Sequence, residues 1–226
     1  GLYNQNEERD SCGVGFVVSL NGKPARSVVE AGITALKAIW HRGAVDADGK
    51  TGDGAGIHVQ IPEEFFKDQV RRTGHEPRDE RIAVAQVFLP RTDFGAQETC
   101  RTIVETEVLR MGYYIYGWRH VPVDISCLGQ KANATRPEIE QILISNSKGV
   151  DEETFERELY VIRRRIEKAA SNLNGFYICS MSCRSIIYKG MMLAEEVAVF
   201  YPDLRDERFI SAFAIYHQRY STNTFP

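Results

Sequence analysis

The run Asp10-Ser11-Cys12-Gly13-Val14-Gly15-Phe16-Val17-Val18 puts a cysteine at the head of a strand-like segment, behind a polar leader. Cleavage between Ser11 and Cys12 would leave one residue carrying both a thiol and a free α-amine. An unperturbed α-amino group titrates at roughly 7.7–8.0, so it can take the thiol proton and return it to a leaving amine. A covalent catalyst would then be complete at the new N-terminus, attacking a carbonyl and leaving an acyl thioester for water to resolve. Two other readings of Cys12 stand beside this one. It could form a papain-like dyad with His41 or His217, which needs no processing, or be a small buried strand residue with no chemistry.

Other candidate constellations miss their templates. Gly43-Ala44-Val45-Asp46-Ala47-Asp48-Gly49-Lys50-Thr51 has five residues between its glycines, where a phosphate-binding loop has four, and it follows a helix rather than a strand. Asp46-x-Asp48-x-Lys50 starts like a calcium loop, but Ile57 stands where a bidentate glutamate should close it. Gly52-Asp53-Gly54-Ala55-Gly56 lacks dinucleotide-site spacing, so the loop's glycines are better explained by close backbone approach to something else. His41, His58, His75, His120 and His217 never fall at metal-ligand spacing, and no metal site is expected. Cys100, Cys127, Cys179 and Cys183 lie in apolar patterns and are expected to be core residues.

To work, Cys12 needs a rigid strand and a neighbouring loop. Residues 13–20 read as a buried strand, followed by an Asn21-Gly22 hairpin turn. Ser27 is expected to cap a helix with Val29, Ile33, Leu36 and Trp40 on its apolar face, ending at His41-Arg42-Gly43. Residues 43–56 read as a loop. Strands follow at 57–61, 81–89 and 113–118, and helices at 63–72 and 96–111; residues 139–144 are ambiguous between the two. The longest helical pattern covers 151–172, with Phe155, Leu159, Ile162 and Ile166 on one face and Asn174-Gly175 closing it. Residues 176–182 and 184–188 read as an antiparallel pair, and 209–221 as further β structure. Strands in hairpins with helices between groups predict an α+β fold rather than a doubly wound parallel sheet.

A chain of 226 residues can bury a sizeable core in one domain. Its 43% hydrophobic and 26% charged content argues against disorder and against a membrane span. A net charge of −3 with no like-charge block offers no footprint for nucleic acid, and Arg163-Arg164-Arg165 reads as a solvated helix face. Five cysteines with no C-x-x-C pair fit a reducing, cytoplasmic setting. Residues 1–11, without an apolar core or an initial Met, read as a processed leader. The stop at Thr224-Phe225-Pro226 reads as the edge of a fragment.

Cys12-Gly13-Val14-Gly15-Phe16, His41-Arg42-Gly43, Lys50-Thr51-Gly52-Asp53-Gly54-Ala55-Gly56 and His217-Gln218-Arg219-Tyr220-Ser221-Thr222-Asn223 occur in an order similar to one family. They resemble the glutaminase, or class II glutamine amidotransferase, domain of glutamate synthase large subunits. Gly112-Tyr113-Tyr114-Ile115-Tyr116-Gly117-Trp118 and Ala132-Asn133-Ala134-Thr135-Arg136-Pro137 extend the likeness over nearly the whole chain.

The resemblance implies an N-terminal-nucleophile hydrolase fold, a four-layer α/β/β/α sandwich of two antiparallel sheets, here truncated at its C-terminal side. It implies that residues 1–11 are a propeptide remnant and 12–226 an incomplete amidotransferase domain. It makes Cys12 the nucleophile and Arg219 the group holding the carboxylate of L-glutamine, with Arg42, Gly43 and Thr222 also at the substrate. The family's oxyanion Asn-Gly pair and an aspartate for the substrate amine are expected beyond Pro226; Asn21-Gly22 and Asn174-Gly175 do not replace them. For the full-length subunit the resemblance implies a 2-oxoglutarate/FMN domain, a [3Fe-4S] cluster and a small FAD-containing subunit supplied by NADPH. The stretch 1–226 alone is expected to be inactive, and an unprocessed binding or regulatory module is the alternative to an enzyme.

Overall fold

The computed structural model describes residues 13–78 and 81–219. In chain order they form β1 (Gly13–Val18), α1 (Arg26–Ala38), β2 (Ala55–Gln60), α2 (Glu63–Arg72), β3 (Ile82–Leu89), α3 (Phe94–Arg110), β4 (Tyr114–His120), α4 (Gln130–Thr135), β5 (Glu138–Ser145), α5 (Glu152–Ala169), β6 (Tyr177–Ser182), β7 (Ser185–Gly190), α6 (Val197–Phe200) and β8 (Phe213–Gln218). The strands make two four-stranded antiparallel sheets, ordered β1-β8-β2-β7 and β4-β5-β3-β6. This is the expected α+β sandwich of two antiparallel sheets with helices.

Alternation along β3 splits the core in two. Ala83, Ala85, Val87 and Leu89 join Val104 and Val108 of α3 and the Phe155, Leu159, Ile162 and Ile166 stripe of α5. Ile82 and Val84 point to the other core, shared with Leu36 of α1, Ile57 and Val59 of β2, Phe66 of α2 and Tyr188 of β7. Each fully buried Val, Leu, Ile or Phe among them stabilises the fold by about 1.5–3 kcal/mol. The two long helices start where side-chain oxygens catch free N–H groups: Asp93 accepts from Ala96 N and Asp151 from Thr154 N.

Across the first core runs a buried polar chain. Arg119 donates to both carboxylate oxygens of Asp203 at 2.6 and 2.7 Å, to Gln141 at 2.7 Å and to Gln69 at 2.9 Å. The Tyr188 hydroxyl donates to Asp203 and accepts from Gln141, tying β7 of one sheet to β5 of the other. Burial, with Asp203 beside it, pushes the Tyr188 phenol well above its ordinary pKa, so it stays a donor.

Several local expectations differ. The first strand is not buried: β1 is an edge strand with Val14, Phe16 and Val18 at 65%, 73% and 50% exposure. Asn21-Gly22 makes a turn but no hairpin, because the chain enters α1 and β1 pairs with β8 instead. Ser27 is not the cap. The helix starts at Arg26, whose guanidinium donates to the carbonyls of Leu204, Asp206 and Phe209. Trp40 lies exposed in a 3₁₀ turn, Trp40–Arg42, rather than on the helix's apolar face. The ambiguous 139–144 segment is strand β5, buried on both faces and therefore without alternation. Finally, β6 and β7 are consecutive yet belong to different sheets. Ser182 Oγ accepts from Arg184 N and Ser185 N while Glu156 accepts from Cys183 N, so the chain turns a corner there.

Candidate functional site

The head of β1, the 3₁₀ turn after α1, the loop before β2 and the end of β8 meet at one corner of the first sheet. Gly13 pairs with Gln218 and Gln218 with Ala55, so three strands converge there. A Cβ on Gly13 would lie 2.9 Å from Ile39 Cδ1 and 3.2 Å from Arg42 Cβ, so the missing side chain lets the 3₁₀ turn close on the strand. Gly43 is tighter still. Its added Cβ would fall 2.0 Å from Gln218 Nε2 and 3.3 Å from Asp53 Oδ1. Gln218 is itself buried, and its Oε1 has no hydrogen-bond partner among the described residues.

The expected loop is more ordered than its composition suggests. Asp53 N donates to Ala44 O, Asp46 N donates to Thr51 O, and Val45 bridges Gly52, which makes a small hairpin with Gly49 at its tip at φ 70°. Asp48 fixes it by accepting from Lys50 N, Thr51 N and the Thr51 hydroxyl, and these bonds hold its carboxyl far below the usual range. Neither aspartate of the would-be calcium pair is poised for a cation, since Asp46 is taken by Lys131 Nζ at 2.7 Å. A cavity of about 430 Å³ lies beside this hairpin, bounded by Val45, Asp53, Lys131, Thr135 and Met191.

Arg219 follows β8 at φ 77°, its N–H donating to Gly54 O at 2.6 Å. Its Nε lies 3.2 Å from Asp53 Oδ2, while Asp53 Oδ1 accepts from Ala44 N at 3.0 Å. The fold therefore brings Arg219, Arg42 and Gly43 together with the strand that continues from Cys12. Cys12 and Thr222, and with them the expected approach of Arg219 to Cys12, lie outside the described residues; the nearest described pair is Gly13 with Gln218. Asp53 went unassigned in the sequence. An acid between two glycines just ahead of a strand was the available signal.

The remaining ionisable groups point elsewhere. Cys179 and Cys183 are pushed up to about 12 and Cys127 to about 11, burial being the main cause, and Cys100 is raised likewise, so these four are held as thiols. Burial, then Lys189, lowers the pKa of His217. Its ring packs where a Cβ on Gly56 would be, on the face of the sheet opposite Gln218. Among the described residues no group of three or more His, Cys, Asp or Glu side chains could hold a metal ion, and no helix is long and apolar enough to cross a membrane.

The described corner brings a glycine-lined strand end and an arginine beside Asp53 together on a fold of two antiparallel sheets, and residues 12–226 match the family described as glutamine amidotransferases class-II. The chain belongs to that family. It is 68% identical over 226 residues to the glutamate synthase [NADPH] large chain of Azospirillum brasilense, covering 99% of this chain and 15% of that protein. It is 41% identical over 223 residues to the chloroplastic ferredoxin-dependent glutamate synthase of Spinacia oleracea, covering 97% and 14%. With the glutamate synthase [NADPH] large chain of Bacillus subtilis (strain 168) it shares 40% over 232 residues, covering 100% and 15%. The chain thus spans about 15% of the length of the curated relatives it matches.

Proposed function

We propose that this domain hydrolyses the side-chain amide of L-glutamine to glutamate and ammonia. The observation that carries the reading is the pairing of Gly13 with Gln218, which joins the strand following Cys12 to the strand that leads into Arg219. The Cys12 thiolate attacks the carboxamide carbon after its proton passes to the residue's own freed α-amine. Collapse of the tetrahedral adduct breaks the C–N bond, the amine returns the proton, and ammonia leaves a glutamyl thioester. Water then attacks the thioester and restores the thiol. Arg219 grips the substrate α-carboxylate with its planar fork, and Arg42, Gly43 and Thr222 border the same pocket.

The relatives' names support placing the domain in a glutamate synthase. On that reading the ammonia is used with 2-oxoglutarate in a further domain of the same subunit, in the cytoplasm. FMN and a [3Fe-4S] cluster serve that domain, with electrons from NADPH through a small FAD-containing subunit. Among the described residues no group of three or more His, Cys, Asp or Glu side chains could hold a metal ion, and on this reading these groups belong to the further domain.

Two measurements on the full-length protein test the reading. Intact mass should show a mature chain beginning at Cys12; one retaining Ser11 contradicts the free-amine mechanism and favours an inert module. Cys12→Ala should abolish glutamine-dependent glutamate formation and leave formation from added ammonia intact. Retained glutamine turnover would exclude Cys12 as the nucleophile.

A further inference from the structure

We infer that Asp53 is a positioning residue that aims Arg219 at the substrate carboxylate; this rests on the glutamine-hydrolase reading above. Arg219 leaves β8 at a positive φ, which a residue with a Cβ holds only when its surroundings over-determine it. Two of the restraints come from one short stretch. Gly54 O takes the Arg219 N–H, and Asp53 Oδ2 lies 3.2 Å from Nε. Asp53 is itself immobilised, because its own N–H and its Oδ1 both bond Ala44 across the hairpin. Its two carboxylate oxygens thus have separate partners: one on the hairpin and one on the arginine. The two side chains are 26% and 28% exposed, so the pair is partly screened from water and its geometry, more than its bare Coulomb energy, is what it contributes.

A guanidinium anchored through Nε presents its fork in one orientation, and a bidentate carboxylate contact depends on that orientation. The hairpin that borders Gly43 therefore also sets the arginine. Loss of the carboxylate charge should let the fork rotate while the hairpin persists.

The test uses the full-length mature enzyme with Asp53→Asn, which keeps an oxygen for Ala44 N and loses the charge facing Nε. Ammonia release from glutamine should show KM raised about tenfold or more with kcat changed far less, as expected for lost ground-state anchoring. With the α-methyl ester of glutamine, which lacks the carboxylate charge, wild type and variant should have equal kcat/KM within about threefold. A purely structural role would depress both substrates alike and overturns the inference. So does an unchanged or lowered KM for glutamine, the latter showing that Asp53 competes with substrate for Arg219. Cys12→Ala is assayed in parallel. If it still releases ammonia, the Cys12 mechanism falls, whereas if it is dead and Asp53→Asn matches wild type, only the role of Asp53 falls. Should Asp53→Asn not fold, the wild-type Arg219 Nε–H resonance decides: a rigid, slowly exchanging proton supports the anchor, and a motionally averaged one overturns it.

Discussion

Arg219 holds a φ of 77°, a conformation costing a residue with a side chain about 1–3 kcal/mol. That cost is offset locally by the Gly54 carbonyl and the Asp53 carboxylate. Lysine could not reproduce this arrangement, since it has neither an Nε held along the stem nor a planar fork. In the full-length enzyme Arg219→Lys should raise KM for glutamine by about 10- to 100-fold, the worth of a charged hydrogen-bonded contact, with kcat less affected. Steady-state glutaminase assays check this, and an unchanged KM would remove Arg219 from the substrate site. Part of this corner was legible in the residues themselves, because close approach explains Gly43 and Gly52, and a positive φ of 118° explains Gly54. The Asp53–Arg219 pair was not. It joins two segments far apart in sequence, and no local pattern encodes which acid meets which arginine.

At the scale of elements, the buried Arg119–Asp203 pair joins the edge strand β4 to the 3₁₀ turn Pro202–Arg205. Asp203 is 4% exposed, and its neighbours Tyr188 and Arg119 supply the donors its charge needs. Arg119→Met would strand that carboxylate and should destabilise the protein by about 3–5 kcal/mol. At roughly 2–4 °C per kcal/mol for a chain of this size, thermal unfolding should fall by about 6–20 °C. Pairing it with Asp203→Leu should recover part of the loss, and a single variant as stable as wild type would show the pair to be incidental. Helices α2 and α5 were legible to within a few residues, from an apolar stripe at helical spacing with an acid-rich start. Sheet membership was not, because period-two alternation states which face a residue lies on and is silent about its partner strand. Hence β6 and β7, read as a hairpin, belong to separate sheets, and β5, buried on both faces, had no alternation to read.

For the whole molecule, pH should act through two half-buried histidines. Burial lowers the pKa of His58, which stacks edge-on against Phe213, and burial with Lys189 lowers that of His217. Below the unfolded value of 6.5 the unfolded chain binds more protons than the native one, so stability rises with pH through that window and is lost as pH falls. The shifted carboxylates Asp46, Asp124 and Asp151 act only near pH ~4 and below, which keeps the two effects apart. Unfolding temperature should therefore drop between pH 7 and pH 5.5, and His58→Gln with His217→Gln should flatten that drop; parallel profiles for the two proteins would refute the assignment. The strand order β1-β8-β2-β7 has a consequence for how the protein is made. As the chain leaves the ribosome, β1 and β2 appear early but cannot pair with each other, since the berth between them belongs to β8. Two open edges wait until residues 213–218 have been synthesised, which makes this sheet slow to close and exposed to wrong partners meanwhile. Arg219 arrives with that closing strand, so on the proposed reading the arginine that grips the substrate carboxylate and the finished sheet come into being in the same event.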